Sequence, residues 1–341
     1  MRATPATEMS NSVQKILSPI ADYLDRVDER IKFHLKTGVP IIDESSMHLF
    51  LKGGKKIRAS FVILFAGLGN TINNTIKNNV INDDVIDLAA AVEIIHAASL
   101  IHDDIIDKSF MRRGLISVPS KFGDKVAVLS GDYLYSVAVN IAVNCKSDAI
   151  LQSISDATKE MVKGELYQIE YSSIDKISEE KYFSIIDRKT GRLMASCAFI
   201  GAVKSGLSIA ECDKIYNIGL DIGYAFQIID DTIDFDYDST ITGKDVGNDF
   251  KDGKITLPFI YILNNGSPEE KSDLKNFISD PDGTDFNKVR DMIHSSGAFN
   301  YSKRAAYEFA ERAKKQLEYF PKSENRVIIE DLINFIVERN Y

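Results

Sequence analysis

"AAAVEIIHAASLIHDDIIDKSFMRRG", residues 89–114, is the stretch on which the fold turns. Its first half, 89–101, is nearly all apolar and reads as a buried helix. That helix runs straight into Asp103, Asp104 and Asp107, and Arg112 and Arg113 follow within two turns. Residues i and i+4 lie on one helix face, so Asp103 and Asp107 point the same way with Asp104 beside them. Taken alone, such a patch reads as a solvated acidic helix end.

The chain repeats the arrangement. "FQIIDDTIDFD", residues 226–236, sets Asp230, Asp231 and Asp234 at the same spacing behind another buried-looking stretch. Two such patches facing each other across a cleft at about 10 Å would repel. Each of nine charge pairs costs roughly 1–2 kcal/mol at an effective dielectric near 20, on the order of ten in all. That rivals the stability of a domain. Facing patches therefore need protons or cations. Oxygen ligands at this density favour Mg²⁺, with Mn²⁺ as the alternative, since Mg²⁺ shares phosphate oxygens with one or two carboxylates. Zinc would want His or Cys.

The positive half of such a clamp is also present. "LKGGKKIRAS" supplies Lys55, Lys56 and Arg58, Arg112 and Arg113 suit forked binding of phosphate oxygens, "RKTG" adds Lys189 and Thr190, and "TGKDVGNDFKDGKITLP" adds Lys244 and Lys254. His96 lies seven residues before Asp103, two turns up the same face.

The remainder of the chain reads as helices. Apolar residues recur at 13, 16, 17, 20, 24, 27 and 31, and again at 306, 309, 310, 313 and 317, with no strand-length alternation between turn signals. No proline interrupts the stretch between Pro119 and Pro258, so long central helices are expected there. With 341 residues, 44% of them hydrophobic, the expectation is one all-α domain over 13–341 behind a disordered 1–12. A net charge of −9 argues against a nucleic-acid binder. Three cysteines without C-x-x-C spacing argue against a disulfide framework and a zinc site, and point to a reducing compartment, the cytoplasm. No run of 18 apolar residues occurs, so no transmembrane helix is expected, and the start lacks an apolar signal core.

The motifs "GGKKIR", "EIIHAASLIHDDIID" with "RRG", "GELYQIE", "KTG", "FQIIDDTIDFD" and "GKDVGNDFKDGKITLP" stand in the order and spacing of the trans-isoprenyl diphosphate synthases, the polyprenyl synthetases, which this chain resembles over about residues 50–260. The resemblance implies an all-α bundle around a deep central cavity, usually a homodimer, acting as a Mg²⁺-dependent prenyltransferase. It implies that Lys55, Arg58, His96 and Arg113 hold isopentenyl diphosphate. Arg112, Lys189, Thr190, Gln227, Lys244 and Lys254 would hold the allylic diphosphate. Asp103, Asp107 and Asp230 would carry most of the metal coordination, with Asp104, Asp231 and Asp234 close by. Thr190 and Gln227 would set oxygen dipoles beside an allylic cation.

Three positions depart from the family pattern: Lys56 for a usual arginine, Ala59 for a usual proline and Gly191 for a usual alanine. One turn above Asp103, Ala98 and Ser99 are small where short-chain members usually carry an aromatic, so the gate is open and a long product, roughly C30 to C50, is expected, each added unit burying more apolar surface. The alternatives are a short-chain farnesyl or geranylgeranyl synthase with a deeper floor, a class I terpene cyclase, and a non-catalytic subunit of a two-component synthase.

Overall fold

The computed structural model describes residues 12–73, 81–236 and 247–339, with side chains for 70–73 excepted. The expected disorder of 1–12 and the position of Lys244 thus lie, save for Ser12, outside the described residues. The apolar periodicity near the start becomes α1 (Ala21–Leu35), which buries Leu24, Val27, Ile31 and Leu35 on one face. After α2 (Pro40–Met47) comes α3 (Ile57–Asn73), which carries Phe61, Val62, Leu64 and Phe65 fully into the core.

The opening stretch is α4 (Asp83–Ile106), started by Asn82, whose side chain accepts the N–H of Val85. Thirteen of its residues are buried, including Ile94, Ile95, Ala97, Ala98 and Ile101. It packs against α1, α3, the short α5 (Val118–Phe122), α6 (Asp124–Asn144) and α9 (Arg192–Lys204). α7 (Asp148–Glu170) and α8 (Glu179–Ile186) lead to α9, and α10 (Ile209–Ile233) packs on α9 and on α15 (Ala298–Leu317). A Ser208–Glu211 capping box starts α10. The C-terminal α16 (Glu324–Glu338) lies against α3, α10 and α15. The all-α expectation holds, and the buried apolar residues form one continuous core.

Two local features depart from the sequence reading. Met111–Arg112 (β1) and Leu115–Ile116 (β2) form a two-residue antiparallel ladder in which Arg112 pairs with Leu115. Arg113 and Gly114 make its turn with φ of 52° and 69°, the signs of a type I′ turn. A non-glycine residue at positive φ is held there by its surroundings. The second feature is a π-helical turn, Asp187–Gly191, between α8 and α9. Such turns recur at functional sites. This one carries Lys189 and Thr190.

Two helices, Asp83–Ile106 and Asp124–Asn144, are long and apolar enough to cross a membrane by length and composition alone, a test that the core helix of a globular fold also passes. The first is the core helix itself, about two thirds buried over its most apolar window, and ends in three carboxylates. The second is only 39% buried over the same measure and leaves Val128, Leu129, Val139 and Val143 exposed. Beside it α7 exposes Val162, Leu166 and Ile169, one stripe at helical spacing.

Candidate active site

Both aspartate patches stand at the C-terminal ends of their helices, α4 and α10. That is the negative end of the helix dipole, where carboxylates are disfavoured and cations favoured. The two patches border the same space. A cavity of about 510 Å³ is walled by Asp103 and Asp230 together with Arg58, His96, Arg112, Arg113, Lys189, Thr190 and Gln227. An adjoining lobe of about 260 Å³ is walled by Asp107, Asp231, Asp249, Asp252 and Lys254. Lys189, Thr190, Gln227 and Glu165 border both.

Within each patch the carboxylates do different things. The Asp103 carboxylate has no hydrogen bond or ion pair among the described residues, and burial pushes it up to about 6. Asp104 is fully buried; its Oδ1 takes the guanidinium of Arg112 at 2.6 Å, while its Oδ2 is buried without a partner. Asp107 meets Lys254 at 3.2 Å. In the second patch Asp230 meets Arg339 of the C-terminal segment at 2.8 Å. Asp231 accepts the hydroxyl of Tyr182 at 2.6 Å and the amide of Gln227 at 2.8 Å. Burial and the nearby Asp249 raise Asp231 above the ordinary carboxylate range. Asp234 accepts the backbone N–H of Asp249 at 3.0 Å and holds the loop that carries Asp249 and Lys254; burial and Asp249 push it up to about 6.

The cations are placed by the neighbouring elements. Lys254 lies among Asp107, Asp249 and Asp252; burial works to lower its pKa, and those carboxylates outweigh it and raise it. Lys189 pairs with Glu165 at 2.5 Å and donates to Gln168 at 3.1 Å. Its π turn is braced by Asp187, which takes Arg192 at 2.8 Å and the hydroxyl of Tyr224 at 2.7 Å. A Cβ on Gly164 of α7 would stand 2.8 Å from the Lys189 nitrogen, so the close crossing requires glycine there. Gly191, the departure from alanine, is tight but less constrained: an added Cβ would lie 3.0 Å from side-chain carbons of Leu220 and Tyr224.

On the other wall, Arg113 reaches His96 at 3.5 Å. Burial, with Arg58 and Arg113 adding, depresses His96 well below the usual histidine range, so it is a neutral acceptor. Burial likewise lowers Arg58, whose Nε is buried without a partner. The remaining departures have physical reasons. The Ala59 N–H donates to Glu93 at 3.1 Å, a bond proline could not make. Lys56 turns away to the Leu24 carbonyl and Asp28 on α1. Lys55 is half-buried at the start of α3.

Ser99 borders the larger cavity, as the gate expectation requires. Ala98 does not. It is fully buried on the core side of α4 and is absent from the cavity wall. The sequence reading missed Glu93, Glu165, Gln168, Asp249, Asp252 and Arg339. All but Arg339 fall inside quoted motifs, where only the basic and paired acidic residues drew attention.

Among the described residues no three carboxylates, histidines or cysteines converge into a ready-made metal cage. The donor set still fits Mg²⁺. It is all oxygen, several members are pushed up by burial and then by neighbouring carboxylates, and Mg²⁺ takes one or two protein carboxylates with water and phosphate completing its shell.

Comparison with known proteins agrees with this site. The polyprenyl synthetase family model matches residues 39–295. Octaprenyl diphosphate synthase of Haemophilus influenzae is 30% identical, over 97% of each chain. The crystal structure of a polyprenyl synthase from Caulobacter crescentus, complexed with calcium and isoprenyl diphosphate, is similar at a TM-score of 0.88 and 31% identity, covering 96% of this chain and 98% of that one. A geranylgeranyl pyrophosphate synthetase from Pyrococcus horikoshii is similar at 0.86 and 28%, covering 96% and 99%. With the motif order, the helical bundle and the paired aspartate patches, these findings establish that the chain belongs to the polyprenyl synthetase family.

Proposed function

We propose that this chain is a Mg²⁺-dependent prenyltransferase that condenses isopentenyl diphosphate head to tail with an allylic diphosphate, giving a long trans-polyprenyl diphosphate of roughly C30 to C50, each added unit favoured by apolar burial. The observation that carries this reading is that the two aspartate patches and two separate basic sets border one cavity. Asp103, Asp107 and Asp230 would hold the metal ions. Bound Mg²⁺ would supply Lewis-acid neutralisation of the leaving diphosphate.

The chain's own residues account for the rest. Arg112, held by Asp104, and Lys189 and Lys254, held by Glu165 and Asp107, are fixed donors for the allylic diphosphate. Arg58, Arg113 and neutral His96 form a second cationic pocket for isopentenyl diphosphate. The allylic carbon–oxygen bond breaks and its electron pair leaves with the diphosphate. The hydroxyl of Thr190 donates to Gln227 Oε1 at 2.7 Å, which leaves the Thr190 lone pairs for the allylic cation. The double bond of isopentenyl diphosphate, held close, adds to that cation, and a proton is lost to the released diphosphate. Two diphosphate pockets favour this over a terpene cyclase, and two intact aspartate patches favour it over a non-catalytic subunit.

Fold likeness leaves product length open, since a geranylgeranyl synthetase matches nearly as well as a polyprenyl synthase. Ser99 in the cavity wall supports the longer product. The exposed apolar stripe on α6 and α7 supports a homodimer. The three free thiols, two of them buried, suit a cytoplasmic location.

The test is incubation of the purified chain with isopentenyl diphosphate, Mg²⁺ and allylic primers of five to twenty carbons, followed by product sizing. Long polyprenyl diphosphates are expected from the chain alone. Turnover without isopentenyl diphosphate, or none with any primer, overturns the reading.

A further inference from the structure

We propose that Asp231, clamped by Tyr182, is a positioning residue for Gln227 and Thr190, and that it is not a metal ligand. The inference rests on the proposed prenyl transfer and assigns a different role to one member of the second patch.

Both oxygens of Asp231 are engaged by the protein. Oδ2 accepts the Tyr182 hydroxyl and Oδ1 accepts Nε2 of Gln227. The residue is 5% exposed and Tyr182 3%. An amide can sit either way round, and the contact with a carboxylate decides which: only the NH₂ end can face Asp231. Oε1 of Gln227 must then face the other way, where it accepts the Thr190 hydroxyl. With its one proton committed, Thr190 presents only oxygen lone pairs to the space it shares with Asp103 and Asp230. Asp231 thereby sets the sign of the dipoles beside the developing cation. With the amide reversed, its NH₂ would take the Thr190 oxygen as acceptor and turn the threonine proton toward the substrate. Tyr182 sits on α8, five residues before Asp187, where the π turn begins, so the relay also ties that turn to α10.

The first patch is divided too. Its middle aspartate, Asp104, is buried and holds Arg112, while Asp103 and Asp107 line the cavity lobes. In both patches the second carboxylate orients a group that meets substrate, although Asp231, unlike Asp104, also borders the smaller lobe.

A loosened relay has a chemical signature. Once the carbon–oxygen electron pair has left with diphosphate, the allylic cation has two fates. The double bond of isopentenyl diphosphate attacks, a carbon–carbon bond forms and a proton is lost. Alternatively water attacks, a carbon–oxygen bond forms, and loss of a proton gives the free prenyl alcohol. A cation poorly held against its partner is captured more often by water.

The experiment uses the full chain with Tyr182→Phe and Asp231→Asn, measuring kcat, KM for both substrates, the Mg²⁺ concentration at half-maximal rate, and the ratio of prenyl alcohol to elongated product. Tyr182→Phe keeps the ring and its packing, so it tests the relay even where Asp231→Asn folds poorly. Loss of the bond to a charged acceptor should lower kcat about tenfold in each variant and raise the alcohol fraction severalfold. Half-saturating Mg²⁺ and both KM values should stay within about twofold of the unmodified chain, a change below half a kcal/mol. A merely structural role would not move the alcohol fraction. The inference is overturned if Tyr182→Phe keeps the original kcat and alcohol fraction, or if Asp231→Asn raises half-saturating Mg²⁺ severalfold. Failure of the unmodified chain to turn over isopentenyl diphosphate would instead remove the proposed function itself.

Discussion

The two aspartate patches share a spacing and differ in almost everything else. At the end of α4, Asp103 is left without a protein partner among the described residues, and the residue one turn above it, Ser99, is small. At the end of α10, Asp230 is paired with Arg339, Asp231 and Asp234 are taken by protein donors, and the corresponding residue one turn above is Phe226, whose ring lies under the Arg339 guanidinium at 4.3 Å. Equal spacing places carboxylates on equal helix faces, but the donors that happen to face them decide what each can do. In the α4 patch Asp103 is open to ligands, with open space above it, while Asp104 and Asp107 hold Arg112 and Lys254. The α10 patch is largely spoken for by the protein, and its upper turn is closed by an aromatic ring.

The largest effect should come from the open patch. Asp103→Ala removes the carboxylate with no competing protein partner and should lower Mg²⁺-dependent turnover by about a thousandfold, the scale of losing a preorganised electrostatic contact in a closed site. Circular dichroism should show the helical fold unchanged. A rate near that of the unmodified chain would place the working metal site elsewhere and erase the contrast between the patches.

Product length sharpens the same contrast. Ser99→Tyr should fill the space above Asp103 and shorten the product by several five-carbon units. Ala98→Tyr should not act as a gate: Ala98 is fully buried in the core, and forcing a ring there should cost about 1–3 kcal/mol in stability through overpacking. Product sizing and thermal melts of the two variants check this. Shortening by Ala98→Tyr with an unchanged melt would mean that α4 turns its other face to the growing chain.

How much of this was legible in the sequence follows from the range of the interactions. α4 and α10 were readable because apolar burial and i, i+4 spacing are local properties. The repeated spacing suggested two facing patches, and repulsion then showed that facing carboxylates would demand protons or cations; the facing itself is seen only in the fold. The hairpin at 111–116 was not readable: two-residue strands show no alternation, and Arg113 is an unusual residue for a left-handed turn position. Nor was the π turn, which packs closely on Gly164 of α7 and meets α10 at Gly191. The division of labour among the aspartates lay furthest out of reach. Tyr182 is 49 residues from Asp231, and Arg339 comes from the far end of the chain, so no pattern near the motif announces either. The gate was half legible: spacing found the right turn of α4, but only packing shows that Ser99 lines the cavity and Ala98 does not.

A tenfold effect is expected at the loop. Asp234 accepts backbone N–H groups of the segment that carries Asp249 and Lys254. Asp234→Ala should lower kcat/KM by about tenfold and cost about 1 kcal/mol in stability, as for a lost helix cap. If instead it matched Asp103→Ala in rate, the second patch would be acting as openly as the first.

The smallest effect is on the stability of the metal-free chain, and it has opposite signs in the two patches. Burial holds the Asp103 carboxyl up to about 6, above the ordinary carboxylate value, so the folded chain binds its proton more tightly than the unfolded chain. The stability from that proton is fully present below about pH 4 and is lost as pH rises through 6. At pH 7 the charge at Asp103 is therefore a liability, and the neutral Asp103→Asn should be more stable than the unmodified chain by up to about 3 kcal/mol, the scale of a shift of about two pKa units. The gain should shrink as pH falls from 7 to 5. Comparing the two chains at each pH also cancels the opposing contribution of buried neutral His96, which loses stability as pH falls below its ordinary range. Asp230→Asn should do the reverse, because it strands the guanidinium of Arg339, which is itself buried. Thermal melts of both variants without metal, at pH 7, 6 and 5, measure this directly. Equal signs in the two patches would mean that the pairing with Arg339 does not set the second patch apart from the first.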